Sequence, residues 1–153
     1  MEIAFRLSLP RESASVPIVR RLCRCSFSSL GIEDDCAHDL ELVVTEACTN
    51  VLKHASGKDE YEVEVATSGE TCDIQVKDAG KGFDHAAHGQ QQAQAEAEAG
   101  RGIHLMRLLV DRLHFVSEDS GTMVHLQKSL TLREDSPLKL GRQRSPATAP
   151  YTG

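Results

Sequence analysis

The stretch ELVVTEACTNVLKHA, residues 41–55, decides the fold. Together with Leu40, the residues Val43, Val44, Ala47 and Val51 recur at helical spacing and make one apolar stripe. Asn50 lies beside that stripe and Glu46 one step further round, on the rim between core and solvent. Lys53 continues the Glu46 side, and His54 borders the core. Upstream, Asp34 and Asp35 favour the helix start, because acids complement its N-terminal dipole. The stretch predicts a long amphipathic helix that offers a carboxylate and a carboxamide, one turn apart, at the edge of a cleft.

Strands are predicted on both sides. Ile3, Phe5, Leu7 and Leu9 alternate with Glu2, Ala4, Arg6 and Ser8, which reads as a half-buried strand closed by Pro10. A first helix follows, capped by Ser13 or Ser15, with Pro17 near its start, and ends at Gly31. Its apolar set includes Ile18, Val19, Leu22 and Cys25. After the long helix comes a hairpin: Tyr61, Val63 and Val65 face one way, and the chain turns at Ser68-Gly69-Glu70. Cys72, Ile74 and Val76 face inward on the return strand, and Asp78 shares their parity. An inward acid at a strand end needs a partner, since an unpaired buried charge is costly.

Residues 85–99 hold Ala, Gln, Glu, His and one Gly, with little to bury, and read as a mobile segment that is partly helical. From Gly102 a helix is predicted with Ile103, Met106, Leu109, Val110 and Leu113 on one face and Leu105 and Leu108 towards the outside. Two strands, Leu113–Ser117 and Thr122–Lys128, flank the turn Asp119-Ser120-Gly121. Thr122 shares parity with Val124 and Leu126 and is expected to face inward. The expected organisation is one domain over residues 1–130 and a disordered tail over 131–153, where Pro, Ser, Arg and Gly dominate from Arg133 on.

Three motifs carry chemistry. Glu46 is placed to accept a proton from an attacking hydroxyl or water, and Asn50 can lend an amide oxygen to a divalent cation without adding charge beside phosphates. Any single Glu-x-x-x-Asn is equally what a solvated helix face looks like. Asp78, followed by Ala79, Gly80, Lys81 and Gly82, can accept from an exocyclic amine such as adenine's, while the glycines let backbone approach a flat ring. Alone, it is also an ordinary strand-end turn. Gly100-Arg101-Gly102 opens a helix whose free N–H groups attract phosphate, though a Gly-x-Gly can merely start a helix. No Lys-Ser or Lys-Thr follows, and no full dinucleotide fingerprint bridges a strand and a helix. In order, the three read as metal and water, base, and phosphate sites of one nucleotide pocket.

Composition narrows the classes. With 17 basic and 23 acidic residues the formal charge is −6, which opposes a nucleic-acid surface. No apolar run approaches the roughly 20 residues that span a bilayer, so no membrane partner is expected. The first residues lack a secretion signal's basic and apolar regions, and a cytoplasmic location is expected. The five cysteines form no metal pattern, and Cys23 and Cys25 diverge on a helix. Cys36, Cys48 and Cys72 fall among apolar positions as small hydrophobes.

Taken in order, "ELVVTEACTNVLKHA", "IQVKDAGKGFD", "GRGIHLMRLLVDRLHF" and "GTMVHLQKSL" resemble the GHKL-type ATP-binding fold shared by histidine kinases and gyrase-type ATPases. The resemblance is closer to the anti-sigma-factor serine kinases of the RsbW and SpoIIAB kind and runs from about Ile3 to Lys128. It implies an α+β, two-layer α/β sandwich (the Bergerat-type fold), with a mixed, mostly antiparallel sheet and helices on one face. It implies Glu46 as general base, Asn50 as magnesium ligand, and Asp78 on the adenine amine beside Gly80 and Gly82. Gly100, Arg101 and Gly102 would hold the phosphates, and Thr122 would complete the adenine site through water. ATP or ADP with Mg2+ would be the cofactors.

The implied activity is that of an ATP-dependent protein serine/threonine kinase. A dimeric protein would sequester a sigma factor and phosphorylate a serine of a STAS-domain anti-anti-sigma factor. The alternative is a nucleotide-gated partner-binding module with little or no kinase activity. A histidine kinase's ATP-binding half fits less well, as no helical pair carries a phosphorylatable histidine. Ile103 stands where Leu is common after the Gly-x-Gly, and His54-Ala55-Ser56 replaces the usual His-Gly.

Overall fold

The computed structural model describes residues 1–54, 59–78, 101–118 and 121–140. Five strands form one sheet: β1 (Glu2–Pro10), β2 (Glu60–Ser68), β3 (Thr71–Asp78), β4 (Arg112–Glu118) and β5 (Gly121–Ser129). Their spatial order is β1-β2-β3-β5-β4. All four ladders are antiparallel, so the mixed component expected of the sheet does not occur among the described strands.

Period-two patterning puts Ile3, Phe5, Leu7 and Leu9, then Tyr61, Val63 and Val65, then Cys72, Ile74 and Val76 on one face. Helices α1 (Ser15–Ser29), α2 (Asp34–His54) and α3 (Arg101–Leu109) cover that face and close the core. The expected stripe of α2 is buried throughout: Leu40, Val43, Val44, Ala47 and Val51. On α3, Ile103 and Met106 are buried, Leu108 is exposed and Leu105 is half-buried.

Helix α1 departs from expectation. Its buried row is Ser15, Val19, Cys23 and Phe27, at spacing four, whereas Ile18 is 52% and Leu22 44% exposed and Cys25 is exposed. Phe27 decides the face, being the bulkiest apolar side chain on the helix and pinned by the helix end. Ile32 N–H reaches Phe27 O at 3.1 Å and Gly31 N–H reaches Ser28 O at 3.0 Å, a Schellman closure around Gly31 at φ 72°. Neither Ser13 nor Ser15 caps α1. Ala14 holds that position without a side-chain bond, and Ser15 turns its hydroxyl to Glu12 O at 2.6 Å.

The chain beyond β5 also differs from the expected disordered tail. Leu132 bridges to Ile32, Arg133 N–H donates to Gly31 O at 2.7 Å, and a single turn α4 (Pro137–Leu140) buries Leu138. Ser136 Oγ donates to Leu30 O at 2.6 Å. Leu130, Leu132 and Leu138 are apolar positions too widely spaced to show a period, yet each fills the end of the core. Residues 141–153 lie outside the described residues.

Candidate nucleotide site

The inward parity of Asp78 places its carboxylate at the end of β3, where it is 2% exposed. Asp78 Oδ2 accepts the Thr122 backbone N–H at 3.1 Å, so the strand end is tied to the start of β5. Thr122 is fully buried and inward, as its parity predicts. The residue before it is the part that sequence reading missed. Gly121 has φ +144°, and a Cβ there would lie 2.7 Å from Asp78 Oδ2. Only glycine fits both that backbone and that approach. The signal was available: a glycine immediately before an inward threonine, on the strand paired with β3.

Tyr61 is a second residue that sequence reading placed only in the core. It is the cross-strand partner of Asp78 and is fully buried. Its hydroxyl lies 2.6 Å from Ser15 Oγ. Ser15 has one proton and gives it to Glu12 O, so the Tyr61 hydroxyl donates. Burial, the larger effect, pushes the Tyr61 phenol up to about 12. The neighbourhood of Asp78 is therefore held by a neutral, hydrogen-bonded ring.

Helix α2 brings the other two groups. Asn50 is 3% exposed, deeper than the rim position expected, and its Nδ2 has no hydrogen-bond partner among the described residues. Glu46, one turn earlier, is half-buried. Thr45 and Thr49 turn their hydroxyls back to Glu41 O and Thr45 O, each at 2.8 Å, and stay within the helix.

The first turn of α3 meets these side chains. A Cβ built on Gly102 would stand 2.6 Å from Glu46 Oε2 and 3.4 Å from Asn50 Nδ2. Two motifs separated by about a third of the chain thus converge at one point. Arg101 is exposed at the first position of α3. Gly80, Gly82 and Gly100, with the segment 85–99, lie outside the described residues.

Whether a magnesium nucleotide suits this site is tested by Asn50. A buried amide end without a partner is costly unless something occupies it. A half-turn of the same amide presents oxygen, the hard donor that magnesium takes. Beside it, the α3 N-terminus supplies N–H groups that have no partner within the helix, and a favourable dipole. The residues present fit the group. No three His, Cys, Asp or Glu side chains among the described residues form a further metal set. No described helix is long and apolar enough to cross a membrane.

Comparison with known proteins agrees with this geometry. Residues 9–128 match the histidine kinase-like ATPase domain family. The serine-protein kinase RsbW of Bacillus licheniformis is 33% identical over 136 residues, covering 79% of this chain and 82% of that protein. RsbW of Bacillus subtilis is 30% identical over 138 residues, covering 81% and 84%. Among solved structures, the RsbU and RsbW domains of Rv1364c from Mycobacterium tuberculosis share the fold at TM-score 0.63 and 17% identity. That match covers 84% of this chain and 32% of the longer protein. The SiaB-SiaC complex from Pseudomonas aeruginosa matches at TM-score 0.55 and 12% identity, covering 83% of this chain and 88% of the matched one. The chain belongs to the histidine kinase-like ATPase domain family, on the branch of the RsbW serine-protein kinases.

Proposed function

We propose that this protein binds ATP with magnesium and transfers the terminal phosphate to a serine of a STAS-domain anti-anti-sigma factor, while sequestering a sigma factor in the nucleotide-bound state. The observation that carries the reading is the meeting of Glu46, Asn50 and Gly102 at one point, together with the burial of a strand-end acid at Asp78. The relatives' name, serine-protein kinase, supports the activity. The pairing of SiaB with SiaC in the solved complex supports a protein partner.

In this reading Asp78 accepts the adenine amine, with Thr122, Gly80 and Gly82 contributing to the same adenine site. Asn50 holds the magnesium ion, and the α3 N-terminus with Gly100, Arg101 and Gly102 faces the phosphates. Magnesium, when bound, offsets charge on the phosphate oxygens. Glu46 takes the proton from the attacking serine hydroxyl, a role worth roughly 10²–10⁴-fold in rate. The exposed pair Ile18 and Leu22 on α1, one turn apart, offers an apolar stripe for a second copy.

The test is a transfer assay with labelled ATP and a STAS-domain partner. Glu46→Gln removes phosphoserine formation while ADP still binds. Equal transfer by wild type and Glu46→Gln overturns the assignment of the base. Nucleotide-dependent partner binding without any phosphoserine favours the sequestering module.

A further inference from the structure

Gly102 sits in the first turn of a nine-residue helix, where alanine is ordinarily the better residue. Its φ is not in the left-handed region, so backbone conformation does not demand glycine. What forbids a side chain is space. A Cβ would meet Glu46 Oε2 at 2.6 Å and Asn50 Nδ2 at 3.4 Å, and no backbone atom is among the nearest contacts. The obstruction is the far end of a side chain that can swing aside. A methyl group would therefore leave the fold standing and displace the carboxylate.

The geometry points to Gly102 as a positioning residue for Glu46: its bare Cα is the seat against which the carboxylate rests, next to the Asn50 amide. This rests on the reading of Glu46 as base but assigns Gly102 a task separate from phosphate binding. Glycine at 102 keeps Oε2 within the space shared with Asn50, and alanine drives it out by the width of a methyl group. The defect belongs to proton acceptance and leaves the helix N–H groups where they were.

Two cycles test this, one of which needs no activity. In the nucleotide-free protein, unfolding midpoints are measured for wild type, Gly102→Ala, Glu46→Ala and the double variant. With Glu46 truncated, Gly102→Ala raises the midpoint by about 2–4 °C, the worth of a helix-favouring residue in a chain of this size. With Glu46 present, that gain is absent or reversed. An equal shift in both backgrounds overturns the proposal, because residues that do not touch are additive.

In the transfer assay, Gly102→Ala lowers kcat about tenfold or more, beyond any change in KM for ATP, as displacement of the proton acceptor requires. Glu46→Asp withdraws the carboxylate by one methylene, and in that background Gly102→Ala costs less than about twofold. A raised KM with unchanged kcat, or the same tenfold loss in both backgrounds, overturns the proposal and returns Gly102 to the phosphates. Failure of the base reading itself looks different: Glu46→Gln then transfers normally, while the unfolding cycle still reports whether 102 and 46 touch.

Discussion

The Thr122 backbone N–H donates to Asp78 Oδ2 at 3.1 Å across 44 positions of sequence, inside the protein. This bond fixes one oxygen of a buried acid by a main-chain donor that any substitution of Thr122 other than proline retains. It makes Asp78→Asn informative: the amide oxygen can keep the Thr122 bond, so the fold survives. The other carboxylate oxygen becomes an NH2 donor and repels an adenine amine. ADP affinity falls about 10- to 100-fold, the 1.5–3 kcal/mol of a hydrogen bond to a charged acceptor. Calorimetry with ADP measures it, and an unchanged Kd removes Asp78 from the adenine site.

Arg24 grips Glu41 through two bonds, Nε to Oε1 at 2.7 Å and Nη2 to Oε2 at 2.9 Å. The hydrogen bond from Arg24 holds the Glu41 carboxyl below its ordinary 4.5, against the opposite pull of burial. A folded-state pKa below the unfolded one contributes stability that is full above pH 4.5 and is lost as pH falls through the folded value. Arg24→Met therefore lowers the unfolding midpoint at pH 7, and the gap from wild type narrows below about pH 4. A gap independent of pH from 7 to 3 contradicts the pairing.

Burial pushes the Cys23 and Cys72 thiols up to about 12 and Cys48 higher still, whereas Cys25 is exposed. Thiolate is the reactive form, so burial and protonation protect these cysteines together. At pH 8 the native protein reacts with a thiol reagent at Cys25 alone, and Cys25→Ser abolishes the fast reaction. Rapid labelling of Cys23, Cys48 or Cys72 in folded protein contradicts the packing.

Leu138 is fully buried in α4, and Ser136 lies so close to Gly31 that a Cβ on the glycine would meet Ser136 Cα at 2.6 Å. Leu138→Ala costs about 2–5 kcal/mol, a large share of a typical domain's 5–15 kcal/mol. Urea unfolding measures the loss. A midpoint unchanged from wild type contradicts the docking of residues 131–140.

Much of this was legible in the sequence because the periodicities are clean. The α2 stripe, the β2–β3 hairpin and the parities of Asp78 and Thr122 all stand where alternation puts them. What was not legible depends on three dimensions. The face of α1 is chosen by how Phe27 and Ile32 close the helix end, which spacing among Ile18, Val19, Leu22 and Cys25 cannot reveal. Leu132 and Leu138 are single apolar residues whose burial depends on residues 131–140 docking against Gly31 and Ile32. Gly121 and Gly102 act through atoms distant in sequence, so their meaning appears only when β3 meets β5 and α2 meets α3.

We propose that Glu46, Asn50, Asp78 and the start of α3 line one adenosine phosphate pocket. Titration calorimetry with ADP and magnesium, with GDP as control, tests it most directly. The expected result is one saturable site per chain for ADP, little heat with GDP, and loss of the ADP heat in Asp78→Asn at the same concentrations. Folded protein that gives no heat and no thermal shift with ADP and magnesium contradicts it.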